Sequence, residues 1–253
     1  ELQNSDDVTI TVNPAPPSGG EVSIVGGVEL STGVWNLFDN GTKVSSFFYG
    51  NPGDFPFMGD WDCDGVETPG LYRQSDGFVY LRNSNTQGIA DIRFFFGNPG
   101  DVPMAGDFNG DGCDTVSIYR PSEAKFYIIN ELGSDEKGLG AADYSFFYGV
   151  PGDVPFVGDW TGDGIDTPGL RRDSDGFVYL RNTNTQGVAD VDYFYGNDGD
   201  VVFAGDWDGD GDDTLGLYRP SNGVMYLRNT NSTGIADLDF FAGFGLYPVA
   251  GDQ

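Results

Sequence analysis

The 253-residue chain contains no histidine, three methionines and only two cysteines. Without histidine, imidazole can serve neither as an acid/base group nor as a metal ligand, which leaves carboxylates for both tasks. Cationic residues are scarce, with 12 Lys and Arg against 40 Asp and Glu and a net charge of −28. Nucleic acids and anionic membranes both need Lys and Arg to neutralise phosphate, so neither is an expected partner. No run approaches the roughly 18 apolar residues of a membrane-spanning helix, so no membrane insertion is expected. The chain begins at Glu1 with neither Met nor a signal peptide. It reads as a piece of a longer polypeptide, acting as a monomeric domain of it.

What is abundant narrows the reading further. Twenty Phe, 13 Tyr and 4 Trp exclude a disordered acidic tail. Forty Gly and 14 Pro predict many tight turns and little helix. The charge favours cations as partners, or an acid-tolerant or saline setting. The length suits one all-β domain or two small ones.

Internal repetition dominates the sequence. Acidic loops begin at Asp60, Asp107, Asp159 and Asp206, at spacings of 47, 52 and 47 residues. The longer spacing has a local cause: Asn83–Asp91 is matched by Asn130–Asp143, which is five residues longer. The stretch SDGFVYLRN occurs at Ser75–Asn83 and again at Ser174–Asn182. Each repeat reads as four short strands rich in aromatic and β-branched residues, punctuated by Gly, Pro, Asp and Asn. In one repeat these are Asp101–Phe108, Thr115–Pro121, Lys125–Asn130 and Tyr144–Gly149. Four strands in about 47 residues is the signature of a β-propeller blade.

The ends set the number of blades. A third-strand motif occurs five times, at Trp35–Leu37, Tyr80–Leu81, Tyr127–Ile128, Tyr179–Leu180 and Tyr226–Leu227. The first copy lacks a first strand, and the chain closes with a first strand alone, Tyr247–Gln253. The two fragments complement each other. The expected fold is an all-β, five-bladed propeller of four-stranded blades, closed by the C-terminal strand pairing with the N-terminal partial blade. The repeats fall near 21–50 plus 247–253, 54–96, 101–148, 153–195 and 200–242. The alternative is an open stack of sheets. Residues 1–20 read as the end of a preceding Ig-like module or as a linker, and the propeller spans 21–253.

The four loops are DWDCDGVET (Asp60–Thr68), DFNGDGCDT (Asp107–Thr115), DWTGDGIDT (Asp159–Thr167) and DWDGDGDDT (Asp206–Thr214). Positions 1, 3 and 5 carry oxygen ligands: Asp60, Asp62 and Asp64; Asp107, Asn109 and Asp111; Asp159, Thr161 and Asp163; Asp206, Asp208 and Asp210. Position 6 is Gly, which allows a sharp turn. The carbonyl at position 7 (Val66, Cys113, Ile165 or Asp212) can add a ligand. This is the opening of a calcium loop. All-oxygen donor sets without His or thiolate suit Ca²⁺ rather than zinc. An acidic turn would explain one copy but not four in register. Position 12 holds Leu71, Ile118, Leu170 or Leu217, so these are not EF-hands.

The pattern resembles the FG-GAP/VCBS-type repeats of bacterial extracellular proteins and of integrin α-subunit propellers, which place D-x-[D/N]-x-D-G-x-x-D between the first two strands of a blade. The resemblance covers about residues 26–253 and implies a Ca²⁺-bearing propeller. The chain departs from the family at position 9, which holds Thr68, Thr115, Thr167 or Thr214 instead of Asp. An acid stands at position 8 instead: Glu67, Asp114, Asp166 or Asp213. Position 8 and position 9 both remain candidates to complete the shell. The third loop, with Thr161 at position 3, is expected to bind most weakly. Only Asp252 of a fifth loop is present, so four Ca²⁺ sites are expected. Such sites bind with Kd of roughly 10⁻⁴–10⁻³ M and add about 1–2 kcal/mol each at millimolar calcium.

Cys63 and Cys113 both lie in acidic loops of neighbouring repeats. A disulfide between them, which would require an oxidising compartment, and two free thiols are both open. Arg73, Arg120 and Arg219 end second strands, and Arg82, Arg181 and Arg228 end third strands. They read either as contacts to an anionic ligand or, preferably, as partners of repeated aspartates such as Asp54, Asp91, Asp153, Asp190 and Asp237. The polar loops at Asn83–Gly88, Asn182–Gly187 and Asn229–Gly234 suit sugar hydroxyls, but a self-satisfied turn is the simpler reading. The insertion Glu131–Ala142 breaks the symmetry and is where a single partner-binding site would differ between blades.

Three functions are consistent with these features. The first is a non-enzymatic, calcium-stabilised binding or adhesion module for a glycan or surface protein, within a larger secreted or cell-surface protein. The second is a structural spacer with no ligand. The third is a carboxylate-based glycoside hydrolase; it is disfavoured because nearly all the acids belong to repeated motifs.

Overall fold

The computed structural model describes residues 22–134 and 141–251. The expected Ig-like end or linker at 1–20, Asp252 and the middle of the Glu131–Ala142 insertion lie outside the described residues.

The strands follow in chain order: β1 (Ile24–Glu29), β2 (Val34–Asp39), β3 (Thr42–Phe48), β4 (Asp54–Gly59), β5 (Thr68–Arg73), β6 (Phe78–Leu81), β7 (Ile92–Phe95), β8 (Val102–Gly106), β9 (Thr115–Arg120), β10 (Lys125–Ile128), β11 (Tyr144–Phe147), β12 (Val154–Gly158), β13 (Thr167–Arg172), β14 (Phe177–Leu180), β15 (Val191–Phe194), β16 (Val201–Gly205), β17 (Thr214–Arg219), β18 (Val224–Leu227), β19 (Leu238–Phe241) and β20 (Tyr247–Gly251). They form five four-stranded antiparallel sheets. Blades 1 to 4 are β4–β7, β8–β11, β12–β15 and β16–β19; blade 5 has the order β20-β1-β2-β3. The expected closure is present: β20 pairs with β1 in the register Ile24↔Gly251 to Val28↔Tyr247. The chain is a five-bladed β-propeller, as its repeats predict.

The first strands β4, β8, β12, β16 and β20 stand next to one another around the axis. Their side chains leave a narrow channel of about 120 Å³, lined by Phe57, Met104, Phe156, Phe203 and Val249 among others. Size complementarity within each blade sets the packing there. Phe57, Phe156 and Phe203 lie across the ladder from Gly70, Gly169 and Gly216. A Cβ at any of these glycines would overlap the facing ring. In blade 2 both partners change together, and Met104 faces Ser117.

The apolar core lies between blades. One cluster joins Tyr72, Val79 and Phe94 of blade 1 to Val116, Ile118 and Ile129 of blade 2. Equivalent clusters join the other neighbouring blades, so closure of the ring gives each blade a partner on both faces. The first position of each acidic loop follows an innermost strand, so all four loops emerge at one end of the channel.

Candidate cation loops and the channel mouth

In each loop the first aspartate folds the backbone around its own carboxylate. Asp60 accepts the amides of Asp64 (3.1 Å) and Gly65 (2.8 Å). Asp107 accepts those of Asn109, Gly110, Asp111 and Gly112. Asp159 accepts from Thr161 and Gly164, and Asp206 from Asp208, Gly209 and Gly211. Position 5 repeats the device one turn on: Asp64, Asp111, Asp163 and Asp210 accept the amides of Val66, Cys113, Ile165 and Asp212. These charge-assisted bonds shape the loops.

They do not neutralise the loops. Carboxylate oxygens of Asp60, Asp62 and Asp64 lie within 4.8 Å of one another, as do those of Asp206, Asp208 and Asp210. Partial desolvation, then the neighbouring carboxylates, raise the Asp62 and Asp208 carboxyls above the ordinary aspartate value. In the second loop the Asn109 amide donates to Asp111 (2.9 Å), so a neutral position 3 relieves the repulsion there. Thr161 of the third loop hydrogen-bonds back to Asp159.

Positions 8 and 9 have other partners. The Asp114, Asp166 and Asp213 carboxylates accept the amides of Asp60, Asp107 and Asp159, each in the preceding loop around the ring, at 2.7–2.9 Å. Their own amides return a bond to the carbonyls of the same three residues. In these three loops position 8 is therefore a two-point clasp between blades. Blade 5 makes the same clasp with a serine: Ser23 Oγ accepts from the Asp206 amide (2.8 Å), and the Ser23 amide donates to the Asp206 carbonyl (2.7 Å). Nothing in the spacing of the acidic loops marks Ser23 for this role. The position 9 hydroxyls of Thr68, Thr115, Thr167 and Thr214 donate to the carbonyls of Gly59, Ile129, Gly158 and Gly205.

Glu67, Asp114, Asp166 and Asp213 ring the channel mouth, a cavity of about 530 Å³. Burial, followed by Asp213 and Asp114, pushes the Asp166 carboxyl well above the usual aspartate range.

Asparagines of the polar loops complete the surroundings of the acidic loops, a role their sequence does not announce. Asn83 and Asn229, at the ends of third strands, stand beside the carboxylates of Asp62 and Asp208 and favour their charged forms. Asn85, Asn184 and Asn231 donate to the carbonyls of Glu67, Asp166 and Asp213. Their recurrence at one offset from the acidic loops was the available signal.

Cys63 and Cys113 are joined in a disulfide, with Cα atoms 4.7 Å apart. It connects position 4 of the first loop to position 7 of the second. At the other junctions the same two positions meet without a covalent bond, Gly110 against Ile165 and Gly162 against Asp212. Position 4 is left-handed in every loop: φ is +61° at Cys63, and +74°, +65° and +74° at Gly110, Gly162 and Gly209.

The arginines take their structural role. Arg73, Arg120, Arg172 and Arg219 form two-bond pairs with Asp54, Asp101, Asp153 and Asp200. Arg82 turns into the polar loop of its own blade and donates to Thr86 O, Ile89 O, Thr86 Oγ1 and Gln87 O. Arg181 and Arg228 repeat this cage. The arginines thus engage the backbone carbonyls of the polar loops from within, as the simpler reading of them predicts, while the side-chain carbonyls of Asn83, Asn85 and Asn184 have no hydrogen-bond partner among the described residues.

No family model matches the chain, and no curated protein matches it. Among solved structures it is similar to BBS1N in complex with ARL6DN, in crystals soaked with mercury and with lead. The mercury structure is 12% identical with a TM-score of 0.42, over 79% of this chain and 59% of that one. The lead structure is 10% identical with a TM-score of 0.41, over 88% of this chain and 85% of that one. This chain thus spans about three-fifths of the first chain's length.

Proposed function

We propose that the chain is a calcium-stabilised, non-enzymatic binding module of a larger secreted or surface protein, built on FG-GAP/VCBS-type repeats. The observation that carries this reading is the geometry of the first and fourth loops. Three alternate carboxylates converge there within 4.8 Å, with no Lys or Arg in either loop. Alternate oxygen donors around a glycine turn suit a hard dication. The other two loops have the same frame with Asn109 or Thr161 at position 3 and complete a set of four. The Cys63–Cys113 disulfide favours an oxidising, extracellular setting. The hydrolase alternative is disfavoured because three of the four position 8 acids at the channel mouth each accept a neighbouring loop's backbone amide.

Differential scanning calorimetry in EDTA and in millimolar calcium, with metal analysis of the purified protein, tests the reading. Four sites of about 1–2 kcal/mol each predict a melting temperature roughly 10 °C or more lower in EDTA. An unchanged melting temperature and no co-purifying metal would falsify it.

A further inference from the structure

A cleft on the flank of the ring is not used by the acidic loops. It lies between the end of β3 in blade 5 and the outer part of blade 1, and has a volume of about 880 Å³. One wall is Phe48 to Asn51, the floor is Leu71, Arg73 and Tyr80, and the other wall is Gly88 to Arg93. The cleft recurs between blades 3 and 4, with Phe194, Leu217, Arg219, Tyr226 and Ile235 in the equivalent places, but measures only about 390 Å³. The wide copy alone of these two receives a residue of the blade 2 insertion, Ser134.

Three features of the wide cleft point to a ligand. The first is Ile89, whose side chain is 84% exposed although the loop beneath it is fixed by Arg82. Val188 and Ile235, at 81% and 85%, are presented in the same way on blades 3 and 4. An aliphatic side chain held out rigidly on repeated loops contributes nothing to the core. The second is Phe48, 42% exposed on the facing wall. The third is Tyr49, next to Phe48 in the same wall and 96% buried, whose hydroxyl has no hydrogen-bond partner among the described residues. In the narrow copy the equivalent Tyr195 donates to the Tyr226 carbonyl (3.3 Å), so its hydroxyl is already engaged. A buried hydroxyl left unpaired is unfavourable, and a ligand hydroxyl reaching it would relieve it.

The lining selects the ligand's chemistry. Arg73 is closed in its pair with Asp54 and stacked 4.4 Å over Tyr80, so it offers no anion site. The Asp91 side chain, 48% exposed, offsets Arg93 in the same lining, and the net charge of −28 repels anions at longer range. A wholly apolar ligand would cover the exposed Asn51 and Asp91 side chains and leave the Tyr49 hydroxyl unpaired. A pyranose ring has an apolar C–H face for Phe48 and Ile89 and hydroxyls for the polar groups, and the volume is in the range of small-molecule sites. We infer that the cleft between blades 5 and 1 is a binding site for a neutral saccharide. The inference gives the proposed binding module its ligand class and does not depend on the calcium assignment.

The test is isothermal titration of the full chain, in millimolar calcium, with N,N′-diacetylchitobiose, lactose, maltose and cellotriose. At least one is expected to bind. Phe48→Ser and Ile89→Ser, both at exposed positions, are each expected to weaken it about tenfold or more. Ile235→Ser, in the narrow cleft, is expected to leave the stronger site unchanged. The inference is overturned if none of the four sugars binds the folded protein, or if binding survives both substitutions. The calcium-dependent melting shift is measured on the same samples. A shift without sugar binding overturns the cleft alone, and sugar binding without a shift overturns the calcium reading alone.

Discussion

In blade 1 two loops lie against each other at one end of the sheet, tied by the Asn85 amide to the Glu67 carbonyl at 3.0 Å. Each is organised by a single charged side chain that gathers backbone groups. In the polar loop that side chain is Arg82, which donates four bonds and stands 3.7 Å from Asp91, so the loop carries its own counter-charge. In the acidic loop it is Asp60, which accepts two amides while Asp62 and Asp64 crowd beside it with no basic residue in the loop. Blade 4 repeats the pair with Arg228 and Asp206. One loop is complete as the chain makes it; the other is preorganised but electrostatically unbalanced. A cation from solution would do for the acidic loop what arginine does for the polar one.

Removing the covalent support of the acidic loops is the strongest way to break this contrast, apart from removing the cation. The disulfide spans 50 residues and ties the first loop to the second. Reduction is expected to lower stability by about 2–4 kcal/mol, which thermal melts would show as a fall of roughly 5–15 °C. Cys63 also holds φ at +61°, where the other loops have glycine. A Cβ in that region costs about 1 kcal/mol. The Cys63→Gly/Cys113→Ala double variant should therefore melt above Cys63→Ala/Cys113→Ala. Equal melting of the two would mean that the left-handed turn is not strained.

Much of this is legible in the sequence, for physical reasons. Closure of the ring could be read because a lone first strand at Tyr247 and a blade lacking one at Ile24 are complementary sheet edges. The loop frame could be read because a period of two brings positions 1, 3 and 5 to one side of a tight turn. The destination of position 8 could not be read. Asp114 reaches Asp60, 54 residues away, and nothing local distinguishes a ligand from an interblade clasp. Ser23 was hidden for the same reason, since it reaches Asp206 across 183 residues with a different side chain. The flank cleft was also out of reach, because Phe48, Arg73 and Ile89 come from separate strands and loops.

A smaller effect is expected from opening the polar loop. Arg82→Met keeps the apolar stem but removes four hydrogen bonds from a side chain only 14% exposed. Water can replace some of them, so the loss should be about 2–3 kcal/mol by chemical denaturation. The coupled measurement is the more informative one. Because Asn83 contacts Asp62 and Asn85 holds the Glu67 carbonyl, a loosened polar loop should also weaken calcium binding at the first loop. Unchanged calcium affinity in Arg82→Met would show the two loops to be independent.

The smallest expected effect sharpens the comparison most. The third loop has the same frame as the first but carries Thr161 where the first has Asp62, and its hydroxyl and amide both turn back to Asp159. Thr161→Asp restores the missing carboxylate at an exposed position. In the absence of metal it adds like charge beside Asp159 and Asp163 and should lower stability by a few tenths of a kcal/mol, on the scale of exposed charge pairs. With calcium present the sign should reverse, because the added oxygen becomes a ligand. Trp160 sits at position 2 of this loop, as Trp61 and Trp207 do in the first and fourth. In a Trp61→Phe/Trp207→Phe background, terbium luminescence excited through Trp160 isolates the third loop. Phe108 already occupies that position in the second loop, so the background should fold. Tighter terbium binding in Thr161→Asp, displaced by calcium, is the expected result. If the added carboxylate only destabilises, with or without calcium, then converging acids in these loops do not gather a cation, and the contrast between the two loop types has another cause.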